Sequence, residues 1–370
     1  MAQLVYSSSP HVKAKNTTRR IMIDVCIALA PACIVGCVYF GLGAILNFAV
    51  AIVACLLSEF LYRLAQKVPA KQIVQEFDFT SLVTALLIAM NMYANTPWYV
   101  TLLASVFAIV VTKMLFGGTG NNVVNPAIAG RVFATISFGF ALGGTMNSMP
   151  AIGAIAGGAV KTAGATPLGV LLGTADGTLS TVDLLLGTGV AGTIGETCAA
   201  ALLLGGIYLV VRRVLNFRWP LVYMAVVGLV SIPMYWLAKN GGFEGIKATL
   251  EAGKKLWQFG NGLFVKGLLE ALTVAANSIL TGGVVLGGVF MATDYVTSPN
   301  TKLGNYIYFV LLGLLTAVLR FACKAEVVSY VILLGNLVVP LINKFTARKP
   351  FGYQKPPKAA KQKEGESDGI

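Results

Sequence analysis

The stretch IMIDVCIALAPACIVGCVYFG, Ile21–Gly41, decides the fold. It is apolar over a length that can cross a bilayer, and a basic segment with His11, Lys13, Lys15, Arg19 and Arg20 precedes it. Basic residues followed by an apolar run can mark a secretory leader. The apolar core of a leader is only about 7–15 residues long, however, and here further apolar runs follow at once. The stretch therefore reads as a retained first membrane helix.

Similar runs recur along the 370 residues, of which 56% are hydrophobic and 12% charged. About 20 apolar residues suffice to span a bilayer as a helix. Length and flanking turn residues predict about ten spans, near 21–41, 43–62, 79–93, 98–116, 123–142, 198–211, 219–238, 276–292, 305–321 and 325–343. The fold class expected is an all-α polytopic membrane protein. The third span is short and ends in NMYANTP; the eighth ends in the similar DYVTSP. Helices broken at membrane depth are tolerated only inside protein, so both read as half-helices.

The formal net charge of +13 does not indicate nucleic acid, because the basic residues lie between the apolar runs and in the last 27 residues. Positive residues collect in cytoplasmic loops. With ten spans, the loops of Arg63, Lys67 and Lys71, of Arg212, Arg213 and Arg218, and of Lys302 then face the cytoplasm with Lys113 and both termini. Arg320 and Lys324 are left as exceptions at an outer turn. The implied organisation is a cytoplasmic tail at 1–20, a first five-helix unit at 21–142 and an outer loop at 143–197. A second unit follows at 198–343, with an outer segment at 239–270, and then a flexible cytoplasmic tail at 344–370. Phe243, Leu250 and Trp257 recur at helical spacing within 239–270, as in an interfacial helix.

Five spans on each side of the long loop suggest two related halves. Aligning Ser81–Pro97 with Gly283–Pro299 pairs Val83 with Val285, Tyr93 with Tyr295 and Pro97 with Pro299. An odd number of spans per half would invert the second copy relative to the first, as in transporters built from inverted repeats.

Charges within apolar spans are site candidates. Arg131, in GNNVVNPAIAGRVFAT, needs an anion or several carbonyls, in a structural pair or a phosphate contact. Asn121, Asn122 and Asn125 precede Pro126, where the backbone breaks or a helix starts. Asp294 and Glu326 stand beside the ends of spans, as helix caps and ion-pair members or as cation ligands. Asp24 sits near the start of the first span, at the interface or in an ion path. The six cysteines all lie in or beside apolar segments and form no metal pattern, and the single histidine excludes a histidine-based metal or catalytic site. No glycine-rich strand–turn–helix signature for a dinucleotide is present. No catalytic residue is assigned.

The segments GGTGNNVVNPAIAGRVF, GGVFMATDYVTSPNT, GATPLG and IGETCAAALLLGGIYLV together resemble the RnfD family, the D-type membrane subunits of the Rnf ion-translocating electron transport complex. The NqrB subunits of the sodium-translocating NADH:quinone reductase are the sister family. The resemblance runs from Arg20 to about Asn343. It implies ten helices in two inverted five-helix repeats, related in fold to urea transporters. It also implies FMN joined through its phosphate to Thr166, with riboflavin as a further cofactor in some members. The implied role is relay of electrons between ferredoxin and NAD, coupled to sodium or proton movement across a bacterial inner membrane. Its partners would be the other Rnf subunits (A, B, C, E and G), and a flavin transferase would load the FMN. Asn125 and Arg131 then become candidate cofactor contacts, and Asp294, Glu326 and Asp24 a candidate ion path. Gly164 and Ala165 are small enough to let a transferase reach Thr166, and Pro167 stiffens the exit. The family's attachment signature carries Asp and Ser or Thr where this chain has Val160 and Ala163. The alternative readings are the sister subunit of the sodium-translocating NADH:quinone reductase and a passive channel or transporter of the same architecture; the channel would carry no covalent flavin.

Overall fold

The computed structural model describes residues 17–143, 166–173, 180–187, 191–239 and 261–347. Among these residues the regular structure is entirely helical. Helix α1 (Thr18–Phe40) starts at Thr17, whose hydroxyl accepts the Arg20 amide. Gly41, at φ 63°, separates it from α2 (Leu42–Ala65). Then come α3 (Ala70–Gln75), α4 (Thr80–Met90) and α5 (Trp98–Val106), which continues as a π-helix through Phe107–Met114. Helix α6 (Pro126–Ser137) begins where Asn125 accepts the Ala127 amide and Pro126, having no N–H, needs no acceptor. Short helices α7 (Gly139–Gly143), α8 (Pro167–Leu171) and α9 (Thr181–Leu186) follow. The second half holds α10 (Ala199–Val211), α11 (Arg218–Lys239) and α12 (Asn261–Leu280). Its last elements are α13 (Val284–Leu286, with the π-helical Gly287–Met291), α14 (Lys302–Cys323) and α15 (Val328–Thr346).

Five of these helices are long and apolar enough to cross a membrane, or six if the bent pair α12–α13 counts as one. The ten expected spans are thus not all full-length helices. At 1.5 Å per residue, the 11 residues of α4 cover only about 16 Å. The eighth expected span, 276–292, is not one helix: α12 and α13 meet at 66°. Gly282, at φ 63°, makes this turn. Helix α12 also reaches back into the expected outer segment 239–270; Phe243, Leu250 and Trp257 lie outside the described residues, as do both tails.

The halves pack in matching ways. Helix α2 lies against α4 and α5, and α11 lies against α12 and α14. Among the described residues α1 packs on α10 and α6 on α15, joining the halves. Small residues let membrane helices approach closely. At Gly205 of α10 a methyl group would collide with the Ala28 carbonyl of α1, and at Gly36 it would meet Ile194 Cγ2 at 2.6 Å. The outward faces carry exposed Ile34, Leu42, Val53, Leu204 and Val211, as lipid contact requires.

Buried charges knit the helices together. Lys113, on the π-helix, donates to Glu59 (3.2 Å), Thr80 (2.6 Å) and Ser81 (2.9 Å). Asp24 accepts from Tyr208 and pairs with Arg212 at 3.2 Å, tying the start of α1 to the end of α10. Arg320 is 2% exposed; it donates to the Ser278 and Thr281 carbonyls and to Glu326 at 2.6 Å. Its burial in this pair explains why it departs from the loop-charge pattern.

Candidate functional site

A cavity of about 370 Å³ opens at the seam between the halves, and Thr166 stands on its wall. Thr166 is the N-cap of α8, extended at φ −68° and ψ 140°, with its hydroxyl oxygen accepting the Gly169 amide at 3.1 Å. Pro167 follows as the first helical residue. Leu168, Leu171 and Leu172 pack on Phe321 of α14, and α8 also lies against α12. The segment bearing Thr166 is therefore seated on the second half.

The first half supplies the facing wall, with Arg131 and Thr135 of α6 and the break after α4 at Asn91, Met92 and Tyr93. Arg131 donates from Nη1 to Asn91 Oδ1 at 2.5 Å, and its Nη2 lies 3.6 Å from Glu196 Oε1. Glu196 sits in the Ala191–Cys198 connection, which is clamped onto the α4 break. The Ile194 amide donates to Met92 O at 3.0 Å and the Gly195 amide to Met90 O at 2.7 Å. Gly195 leaves no room for a side chain, because a methyl group would meet Met90 Cβ and O at 2.9 Å. The carboxylate is set on the cavity wall by a backbone hydrogen-bonded to the α4 break. Its Oε1 is buried without a hydrogen bond, so the Arg131 guanidinium is the charge that compensates it.

Glu326 and Lys324 complete the lining. Glu326 Oε1 accepts the Val328 amide at 3.2 Å and so caps α15, while Oε2 holds Arg320. Lys324 takes the left-handed conformation at φ 51° as the C-cap of α14. Arg131, Lys324, Glu196 and Glu326 thus bring two charges of each sign to one space.

The other sequence candidates lie elsewhere. Asn125 and Asp294 line a second, smaller cavity of about 110 Å³, together with Lys113, Thr80 and Asn122. Asn125 donates to Met291 O at 3.1 Å. Asp294 accepts from the Thr297 hydroxyl at 3.2 Å, and its backbone carbonyl accepts the Ser298 amide at 3.2 Å, which closes the turn after α13. The two cavities are linked through Asn91, which borders the larger one and donates to Met291 Sδ at 3.7 Å. Asp24 borders neither cavity. Gly164, Ala165, Val160 and Ala163 lie outside the described residues. The structure therefore brings Thr166, Arg131 and Glu326 together and sets Asn125, Asp294 and Asp24 apart from them. Glu196, Asn91 and Lys324 join the site without having been singled out. Glu196 carried a usable signal, a carboxylate just before an apolar run, as at Glu326. Among the described residues no group of three or more His, Cys, Asp or Glu could hold a metal.

Known proteins match this chain along nearly its whole length. The model of the NQR2, RnfD, RnfE family matches residues 5–352. The D subunit of the Na(+)-translocating ferredoxin:NAD(+) oxidoreductase complex of Acetobacterium woodii is 36% identical, over 97% of this chain and 98% of the relative. The D subunit of the proton-translocating ferredoxin:NAD(+) oxidoreductase complex of Clostridium ljungdahlii is 33% identical, over 94% and 96%. The D subunit of the ion-translocating oxidoreductase complex of Alcanivorax borkumensis is 29% identical, over 95% and 97%.

Proposed function

The chain belongs to the NQR2, RnfD, RnfE family, and from that premise we propose that it is the membrane flavoprotein subunit of an ion-translocating ferredoxin:NAD oxidoreductase. The observation that carries the reading is the shared cavity: Thr166 opens onto the space bordered by Arg131, Glu196, Glu326 and Lys324. A covalent FMN fits these residues. Thr166 Oγ1 would carry its phosphate, and Arg131 and Lys324 would offset its negative charge. Asn91, Tyr93 and Thr135 offer polar atoms for the ring edge, while Leu142 and Leu280 offer apolar wall. The bound group would supply electron transfer, which no side chain here can do. The protein keeps it at high effective concentration through the tether and fixes it between the halves. Riboflavin would be a second cofactor of the same assembly, whose other members would be the remaining Rnf subunits (A, B, C, E and G).

The parallel packing of α1, α2, α4, α5 and α6 with α10, α11, α12–α13, α14 and α15 supports two inverted five-helix repeats of the urea-transporter type. Here α4 and α13 serve as half-length members. In that arrangement both termini face the cytoplasm of a bacterial inner membrane, the cavity of Thr166 opens outward, and a flavin transferase loads it from that side. The ion path runs between the two cavities, with Glu326 on one and Asp294 on the other; Asp24 holds α1 to α10 beside it. Sodium or protons are the ions, as in the names of the two relatives given above.

The test is in-gel flavin fluorescence of the denatured protein. Wild type is expected to fluoresce and Thr166→Val to lose the signal. Fluorescence that survives the substitution would refute Thr166 as the attachment point.

A further inference from the structure

A third recess, of about 600 Å³, lies between the α10–α11 turn and the segment that joins α13 to α14. It is unlike the rest of the apolar surface around it. Arg213, Asn216, Trp219, Ser298, Asn300 and Asn305 line it. The turn is held in place: the Tyr295 hydroxyl donates to the Val214 carbonyl, and Trp219 stacks on Phe309 with ring centroids 6.1 Å apart. Arg213 is a non-glycine residue in the left-handed region, at φ 58°, a conformation few such residues adopt.

The charges around the recess do not balance. Arg212 is committed to Asp24. Among the described residues Arg213 has no carboxylate partner, and exposed Arg218 and Lys302 add to the same sign. No acidic residue stands in the first turn of α11 or α14, and Asp294, the nearest acid in sequence, is turned into its own turn and borders the smaller cavity. Beside the recess the surface becomes apolar, with Val211, Leu221, Leu303 and Ile307 exposed. Tyr306, 42% exposed, sets an amphipathic ring at this boundary against Trp219, the kind of residue that marks the headgroup level.

An uncompensated cation, amide and hydroxyl groups, an interfacial indole and adjoining aliphatic surface together match a phosphodiester joined to acyl chains. Basic pockets between membrane helices bind anionic headgroups. We propose that this recess binds the headgroup of an anionic phospholipid, with Arg213 as its phosphate contact. The lipid wedges the α10–α11 turn against the start of α14 and so braces the base of the second half. The site is independent of the flavin and of the direction in which the chain crosses the membrane.

The experiment is native mass spectrometry of the full-length chain in detergent, titrated with phosphatidylglycerol, with phosphatidylcholine and with inorganic phosphate alone. Wild type should retain phosphatidylglycerol preferentially. Arg213→Gln should weaken that binding about tenfold, the worth of one charge-assisted contact. Arg213→Lys should retain most of it, and Lys71→Gln, a charge change on an exposed site elsewhere, should leave it unchanged. Circular dichroism equal to wild type shows that Arg213→Gln is folded. Equal retention of phosphatidylglycerol by a folded Arg213→Gln protein would overturn the assignment, as would equal binding of the zwitterionic lipid. Displacement of the lipid by inorganic phosphate would assign the recess to free phosphate and equally overturn it.

Discussion

Replacing Arg131 with methionine removes the charge that faces Glu196 while keeping most of the side-chain volume. Glu196 Oε1 is buried, has no hydrogen bond and lies 3.6 Å from Arg131 Nη2. Breaking a buried ion pair from one side costs about 3–5 kcal/mol. Glu196 can limit the loss by binding a proton, and the cavity admits some solvent since both side chains are 12% exposed. The lower end, about 3 kcal/mol, is therefore expected for Arg131→Met. Glu196→Gln should cost less, about 1 kcal/mol, because Arg131 keeps its bond to Asn91 and an amide oxygen can still face it. The double variant leaves no unpaired charge. It should be more stable than Arg131→Met alone, with a coupling of about 2 kcal/mol against the sum of the single losses. Reversible SDS titration of the purified chain in mixed micelles, read by tryptophan fluorescence, measures all four corners of the cycle. Losses that add to within about 0.5 kcal/mol would refute the argument that Arg131 serves to hold the Glu196 carboxylate.

Asp294→Asn preserves an acceptor for the Thr297 hydroxyl while removing the charge. In the reconstituted complex it should leave electron transfer near wild type and lower ion transport at least about tenfold, the effect of about 1.4 kcal/mol; unchanged transport would remove Asp294 from the ion path. Asp78, in the loop before α4, supplies a pH test. Burial alone would raise its carboxyl, but hydrogen bonds from Thr80, the Lys113 charge and the Thr119 hydroxyl together hold it below the usual aspartate value. Stability from such a group is complete above the unfolded value of about 3.9 and is lost as pH falls through the lower folded value. Asp78→Asn should therefore cost about 1 kcal/mol at pH 7, and the gap from wild type should shrink as the medium is taken below about pH 4. A gap that stays constant with pH would rule out the charge as its source.

Most helix ends were legible because they are local. Gly41, Pro97, Pro126 and Pro299 each stand where the chain must turn or a helix must start, and the structure turns or starts there. The similarity of NMYANTP and DYVTSP also had a local cause, since both follow short helical segments that stop, at Met90 and Met291. The site was only partly legible. Asn125 and Arg131 look like one motif because six positions separate them, but a helix advances about 9 Å over six residues. That rise carries α6 from the lining of one cavity to that of the other, so its two polar groups face different cavities. The place of Glu196 in the cavity was hidden for the opposite reason, although its carboxylate before an apolar run was visible. It reaches the cavity through backbone hydrogen bonds to Met90 and Met92, about a hundred positions earlier in the chain, and no periodicity records such a pairing.

The same contacts bear on how an electron event could act on an ion. The wall that carries Thr166 belongs to the second half and the wall that carries Arg131 to the first. A charge gained in the cavity acts on both walls at once, and it can shift their packing only through contacts that differ between two arrangements. The contacts available among the described residues are few. Glu196 meets Arg131, Arg131 meets Asn91, Asn91 meets Met291 Sδ, and the Met291 carbonyl accepts from Asn125 in the second cavity. Every link except the first is a hydrogen bond to a residue at a helix break, where the backbone has fewer bonds to lose on moving. Coupling of this kind is reciprocal: whatever the cavity charge does to an ion near Asn125, an ion bound there does to the affinity of the Thr166 cavity for charge. The redox potential of a group held at Thr166 should for that reason depend on ion concentration on the side of the smaller cavity, and Asn91→Ala, which cuts the line at its centre, should abolish that dependence while leaving the group attached.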